Sequence, residues 1–416
     1  MAASLRQTSG LYFSVPFCRS KCTYCNFASG VYPASEHSKY VDRLVSDLSA
    51  APAWARSMQV TLSRQVDTVY FGGGTPSLLS GDHFRQIFRA IRNEFMLTRD
   101  AEITVECAPG QLSDATLGAM VEVGVNRVSL GVQSFIDEEA HRSGRLHSRA
   151  QVLDDLHRLR SAGINNLNLD LLAGLAGQTL QSWRESLSVL IDTGVPHASV
   201  YMLEIDEESR LGRELLSGGA RYGAELVPSD DAIVQMYEES VEALSEAGLK
   251  QYEISNFAQP GRESAHNLRY WQRKPYLGIG LDASSMLPAE DGSVLRAATT
   301  ADLDEFLKHS DRQEPIIETS WLGPTQQIEE AWFLGLRRNA GVSFAALRKE
   351  FGAEAADPSI AIARRLADEG LLSIQRGKAA LTSRGRLISN NVFAEFLGLG
   401  RGWSVEEEDC AEAVAH

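Results

Sequence analysis

The chain has 416 residues, 44% hydrophobic and 23% charged, the composition of an ordinary globular protein with room for one barrel-sized domain and a smaller one. Its 40 Lys and Arg against 55 Asp and Glu leave a net charge of -15, which argues against a general nucleic-acid role, because such binding needs a concentrated basic face. No apolar run approaches the roughly 18 to 20 residues of a membrane span, and the start, MAASLRQTSG, carries no apolar signal segment, so the expected location is the cytoplasm.

Residues 1–10 read as a tail. From 11 to 285, short apolar and β-branched runs alternate with amphipathic segments. Strands are expected at 11–15, 67–71, 102–106, 127–132, 167–172 and 198–203, and helices at 35–50, 82–95, 113–123, 149–162 and 179–193. Repeated βα units with near-continuously apolar strands imply a parallel sheet covered by helices, either an open doubly wound sheet or a barrel. Periodicity does not choose between them.

The five cysteines are unevenly placed: Cys18, Cys22 and Cys25 fall within eight residues, while Cys107 and Cys410 stand far away. That is no disulfide framework, and clustered thiols in a reducing compartment point to metal ligation. The motif Cys18-x3-Cys22-x2-Cys25 follows the first expected strand and Pro16. Three such thiolates can hold three irons of a cubane cluster while the fourth iron keeps an open position. A structural zinc would want a fourth ligand, and His37 and Cys107 sit at no zinc-finger spacing.

A further helix is expected at 229–247. The stretch KQYEISNFAQPGRESAHNLRYWQRKPYLGIG then reads as a long functional loop, and 286–320 as a linker. Within 321–400, helices near 325–338, 343–351 and 358–369 precede two strand-like runs, LLSIQ and KAALT, and a last helix, a pattern like a small winged-helix domain. Its third helix carries Arg364 and Arg365 but also Asp357, Asp368 and Glu369, which disfavours DNA reading. Residues 401–416 form an acidic tail expected to be disordered.

The segment YFSVPFCRSKCTYCNF, taken with the motifs that follow it, resembles the radical S-adenosylmethionine (SAM) superfamily. Within it, the chain resembles the oxygen-independent coproporphyrinogen III oxidase family, most closely its heme chaperone branch, from about residue 11 to 398. The resemblance implies an α/β fold: a partial (β/α)6 TIM-type radical SAM barrel over 11–285, with a small helical, winged-helix-like C-terminal domain. It also implies that Cys18, Cys22 and Cys25 ligate a 4Fe-4S cluster at the C-terminal face of the strands. Tyr12 and Tyr24 match aromatic positions near cluster and cofactor. Gly73, Gly74 and Thr75 of FGGGTP match the cofactor loop, where glycine lets backbone carbonyls and N–H groups approach a ligand. Glu106 of VECAPG, Gln133, Arg145 and Asp170 match residues that contact SAM, and Glu204 is a weaker candidate for the same mouth. The chemistry suits them: a guanidinium can clamp a carboxylate, and a carboxylate can accept ribose hydroxyls.

Two features separate the branches. The oxidase branch carries a further cysteine two positions after the third ligand, where this chain has Phe27. His266-Asn267-Leu268-Arg269-Tyr270-Trp271 matches an element of the chaperone branch whose histidine is implicated in heme binding. The implied function is a heme chaperone that holds the cluster, SAM and heme and delivers heme to a recipient protein, membrane-associated or not. The alternative is the oxidase, in which reductive cleavage of SAM gives a 5'-deoxyadenosyl radical that abstracts hydrogen from a coproporphyrinogen propionate side chain. The chain departs from the family at Ser14 and Ser284, where histidine is usual, and at Ala176, where proline is.

Overall fold

A computed structural model describes residues 8–308 and 317–399. The alternation seen in the sequence becomes β1 (Ser9–Val15), α1 (Ala34–Ser57), β2 (Gln65–Gly73), α2 (Gly81–Glu94), β3 (Met96–Cys107), α3 (Asp114–Val123), β4 (Arg127–Gln133), α4 (Asp137–Arg142), α5 (Arg149–Ser161), β5 (Asn166–Ala173), α6 (Leu180–Asp192) and β6 (His197–Met202). The chain continues through α7 (Arg210–Ser217), α8 (Asp230–Glu246), β7 (Lys250–Gln251), β8 (Asn256–Ala258), α9 (Ala265–Trp271), β9 (Tyr276–Ile279), β10 (Ser284–Pro288), β11 (Val294–Thr299), α10 (Leu303–Lys308) and β12 (Ile317–Leu322). The last part holds α11 (Pro324–Leu336), β13 (Val342–Ser343), α12 (Phe344–Phe351), α13 (Ala353–Asp368), β14 (Leu372–Gln375), β15 (Lys378–Leu381), α14 (Ser383–Leu387) and α15 (Ser389–Ala394).

β1 to β6 pair in parallel in chain order, and β9 adds to β1 in parallel on the other side. Antiparallel strands extend both edges, β10–β12 beyond β9 and β8–β7 beyond β6, so the main sheet has twelve strands and stays open. The helices start where side chains cap them: Ser80, Ser148 and Thr179 each build a capping box at α2, α5 and α6.

Residues 286–320 were expected as a linker, and there the structure differs. β10, β11 and β12 continue the main sheet through antiparallel pairing, with residues 309–316 outside the described residues. The stretch after α8 is likewise not a plain loop, since it supplies β7, β8, α9 and β9. Ser9 and Gly10, expected in a tail, already pair in β1, while residues 1–7 and the acidic tail 401–416, with Cys410, lie outside the described residues.

The parallel strands are not apolar on both faces. Leu11, Phe13, Val15, Val69, Phe71, Val105, Leu169 and Leu171 pack outward into one core with Leu44, Phe84, Phe88, Leu156 and Leu190 of the helices. The alternate positions point inward and are polar: Tyr12, Ser14, Thr68, Tyr70, Thr104, Glu106, Arg127, Ser129, Asn168, Asp170, His197 and Ser199. This polar inner face is what makes a site possible. Among the described residues no helix is long and apolar enough to cross a membrane.

The small C-terminal unit builds a three-stranded sheet in the order β13-β15-β14 against α11, α12 and α13. Its core includes Trp332, Leu347, Ile360, Leu366, Phe393 and Phe396, and also Ile254 from the barrel side. Arg365 on α13 is bound by Glu369 and Glu395.

Candidate functional site

The cysteine loop is closed at its neck. The Cys18 N–H donates to Gly30 O at 2.8 Å and the Gly30 N–H to Pro16 O at 2.8 Å, so residues 18–30 leave the end of β1 as a pinched loop. Two further elements grip it. Thr23 N–H donates to Ser143 O, and Leu211 N–H, opening α7, donates to Thr23 O. Gly144, with φ +92°, passes so close that a Cβ on it would stand 3.2 Å from Cys22 Cα.

Thr75 Oγ1 donates to Cys18 Sγ at 3.7 Å, and Cys25 Sγ lies 3.9 Å from Ser29 Oγ. Burial pushes the Cys18 thiol above its ordinary value, while Thr75 and Ser29 pull it down. The glycine run sits directly against this loop. Gly74 N–H donates to Val15 O at 2.8 Å and Thr75 N–H to Phe17 O at 2.7 Å. Gly73 has φ +98°, which only glycine adopts at little cost.

The strand ends bring the other expected residues to the same face. Arg145 Nη2 donates to the Tyr24 hydroxyl at 3.3 Å, tying the loop after α4 to the cysteine loop. Burial opposes the Arg145 charge, but the neighbouring Tyr24, Cys22 and Asp170 hold it above its ordinary range. Gly131 leaves it room: a Cβ there would meet Arg145 Nη2 at 3.1 Å and Gln133 Nε2 at 3.4 Å. Gln133 itself has φ +69° and ends β4 where the register slips against β5.

Asp170 accepts from Asn168 Nδ2 at 2.7 Å and Ser129 Oγ at 3.2 Å, and burial raises it while Ser199, Asn168 and Ser129 pull it down. Glu106 accepts from the Tyr70 hydroxyl at 2.7 Å. Burial pushes its carboxyl up to about 7, a shift opposed by the Tyr70 hydrogen bond and reinforced by the Asp170 charge. Tyr12 points inward one pleat below Ser14, its phenol raised by burial and then by Glu106. Sequence reasoning missed Tyr70, Ser129, Asn168 and Ser199. Their signal was the polar residue recurring at every second position within runs otherwise apolar.

Two expected residues stand elsewhere. Glu204, past the end of β6, is exposed and lies within electrostatic range of Arg337 beyond α11. His266, expected to bind heme, is 1% exposed on α9, at the N-terminal ends of β1 to β3 and away from the cysteines. Its Nδ1 bonds Thr68 Oγ1 at 2.9 Å and its Nε2 the Tyr270 hydroxyl at 2.8 Å, so both ring nitrogens are engaged. Burial, and then the Arg269 charge, lowers the imidazole to about 3 and keeps it neutral. α9 closes that end of the barrel. Glu102 accepts from the N–H groups of Ala265 and His266, both at 3.1 Å, and Arg269 pairs with Asp67. Ser284, at the other usual histidine position, is exposed at the start of β10.

The residues present fit an iron-sulfur cluster and SAM. Arg145 Nε is buried without a partner, and the glycine run brings bare backbone to the cysteine loop. Among the described residues no three His, Cys, Asp or Glu side chains converge on a single-ion site. A cubane asks for less convergence, because each thiolate takes its own iron.

Comparison with known proteins adds the relatives. The sequence model of the Radical SAM superfamily matches residues 12–190, and that of the HemN C-terminal domain matches residues 322–388. Heme chaperone HemW of Lactococcus lactis is 32% identical over 393 residues, covering 94% of this chain and 98% of that protein. Heme chaperone HemW of Bacillus subtilis is 31% identical, covering 93% and 98%. Heme chaperone HemW of Escherichia coli is 36% identical over 291 residues, covering 70% and 73%. The solved structure of coproporphyrinogen III oxidase (HemN) from Escherichia coli, described as a radical SAM enzyme, superposes with a TM-score of 0.79 at 21% identity, over 94% of this chain and 90% of that one, which shows the shared fold.

Proposed function

Because the chain belongs to the family of HemW heme chaperones within the radical SAM superfamily, we propose that it binds a 4Fe-4S cluster, SAM and heme and passes heme to a recipient protein. The observation that supports this reading is the bond from Arg145 to Tyr24, which joins the cysteine loop to the strand ends carrying Glu106, Gln133 and Asp170. In this reading Cys18, Cys22 and Cys25 ligate the cluster. Bound there, the cluster would supply an open iron for the amino and carboxylate ends of SAM.

The chain's own residues then do the binding. Gly73 and Gly74 present backbone groups, Thr75 steadies Cys18, and Arg145 offers its free Nε to a carboxylate. Asp170, preorganised by Asn168 and Ser129, accepts ribose hydroxyls. The reading of a heme surface at the open mouth is supported by exposed side chains there: Phe27 is 60% and Leu146 55% exposed at the cysteine loop, and Tyr201 stands at the end of β6. Heme is flat and largely apolar, and such side chains can pack on its face.

Anaerobic reconstitution of the full chain with iron and sulfide tests the reading. About four irons per chain are expected, with most lost in Cys22→Ala, together with SAM binding by calorimetry and a Soret band on heme titration. Coproporphyrinogen III should remain unconverted under reducing conditions. Robust decarboxylation would reassign the chain to the oxidase, and stoichiometric zinc without charge-transfer absorption would remove the cluster.

A further inference from the structure

The HNLRYW segment lies at the end of the barrel away from the cysteines, with both nitrogens of its imidazole hydrogen-bonded. Three rings stack above one another inside the barrel. His266 lies 5.2 Å from Tyr70 at 27° and 6.3 Å from Tyr12 at 28°, and Tyr12 lies 6.1 Å from Tyr70 at 29°. The imidazole is held from both sides by Thr68 and Tyr270. Thr68 Oγ1 also accepts from Arg269 Nε, which ties the imidazole to the Arg269–Asp67 pair.

Tyr70 reaches from this stack to the far end of the barrel, where its hydroxyl donates to Glu106. Gly72 keeps the route clear: a Cβ there would stand 3.0 Å from Tyr70 Cε1 and 3.1 Å from Glu106 Oε1.

We propose that His266 is a positioning residue for the cofactor site: its fixed ring sets the Tyr70 ring, and Tyr70 sets the Glu106 carboxylate. The proposal rests on the reading that Glu106 faces SAM. A phenol-to-carboxylate bond loses strength steeply as its angle opens. Removing the imidazole leaves space beside Tyr70 and strips Tyr270 of its hydrogen-bond partner, so the Tyr70 phenol drifts and Glu106 is no longer held.

The test uses the full chain, anaerobically reconstituted, with SAM affinity read by calorimetry. His266→Ala should weaken SAM about tenfold, the equivalent of one hydrogen bond of about 1.4 kcal/mol. Tyr70→Phe should do the same with His266 in place, and the double variant should be no weaker than Tyr70→Phe alone. His266→Gln, which can still bond Thr68 and Tyr270, should recover most of the affinity. Trp271→Ala, whose ring meets Arg337, should lower stability and leave SAM affinity unchanged. The Soret band of His266→Ala should match wild type. Unchanged SAM affinity in His266→Ala, or an altered Soret band with SAM affinity intact, overturns the proposal. In cofactor-free protein, His266→Ala and Glu106→Gln should be non-additive in unfolding free energy. That coupling without any SAM binding by wild type would sink the functional reading while the positioning role stands, and additivity would overturn the positioning role.

Discussion

Gly74→Ala should release the cysteine loop without touching a thiol. A Cβ at Gly74 would stand 2.8 Å from Val15 O, 2.9 Å from Phe17 O and 3.0 Å from Pro16 C. All three are backbone atoms of the segment leading into Cys18, so no side chain can rotate away. Relief requires the end of β2 to part from the end of β1, which loosens the bonds from Gly74 N to Val15 O and from Thr75 N to Phe17 O. Two backbone hydrogen bonds at about 1 kcal/mol each and overpacking of about 1 to 3 kcal/mol give a destabilisation of roughly 3 to 5 kcal/mol. Thr75 would also leave Cys18 Sγ. Gly118 on α3 is the control: a Cβ there meets nothing within 4 Å, so Gly118→Ala should stabilise by about 0.8 to 1 kcal/mol through helix propensity. Urea denaturation of the cofactor-free chains gives the stabilities, and iron per chain after reconstitution gives the functional readout. A Gly74→Ala protein with wild-type midpoint and wild-type iron would refute the reasoning.

Asp170→Ala should weaken SAM by about 1 to 3 kcal/mol while iron content stays at the wild-type value, because it removes charge-assisted hydrogen bonds on β5, a later strand than the one that leads into the cysteines; equal calorimetric affinities would return Asp170 to a purely architectural part. Glu253 is 2% exposed and burial pushes its carboxyl up to about 7, against Asn256 hydrogen bonding and the Arg337 charge. Between an unfolded value of 4.5 and that folded value the folded chain keeps a proton that the unfolded chain has released, so this group's contribution falls as pH rises across the window. Denaturation curves at pH 5 and pH 7.5 should therefore differ less for Glu253→Gln than for wild type, and identical differences would contradict the assignment. Trp332, fully buried and stacked on Phe396 at 4.4 Å and 11°, should cost about 3 to 5 kcal/mol when changed to Ala, read by the same denaturation.

The six parallel strands and their helices were legible because apolar periodicity is local. So was the cysteine loop, whose three ligand candidates lie within one turn of chain. The β10–β11 pair was missed although Asp291-Gly292, between SMLP and VLRA, is the usual signature of a tight hairpin, and Gly292 does take φ +88°. Its short strands looked like linker because each shows too few residues for a period to emerge. α9 was missed for a different reason. Much of its start is fixed by Glu102, 163 positions from Ala265, and no local pattern reports such a partner. The same holds for the surroundings of His266, whose residue type is legible in the sequence but whose neighbours Thr68 and Tyr70 belong to β2.

Ile254 has a consequence for how the protein comes apart. It leaves the barrel side to complete the C-terminal core, and the chain around it is paired to α11's end: Ile254 N–H to Arg337 O, and Asn339 N–H to Tyr252 O. Arg337 is clasped between Trp271 of α9 and Phe393 of α15. A C-terminal fragment cut after β12 would lack part of its own interior, and the barrel alone would expose that part to water. The two units should melt together in one transition, and neither behaves as an interchangeable cassette that could be spliced onto another barrel without carrying residues 251–254 along.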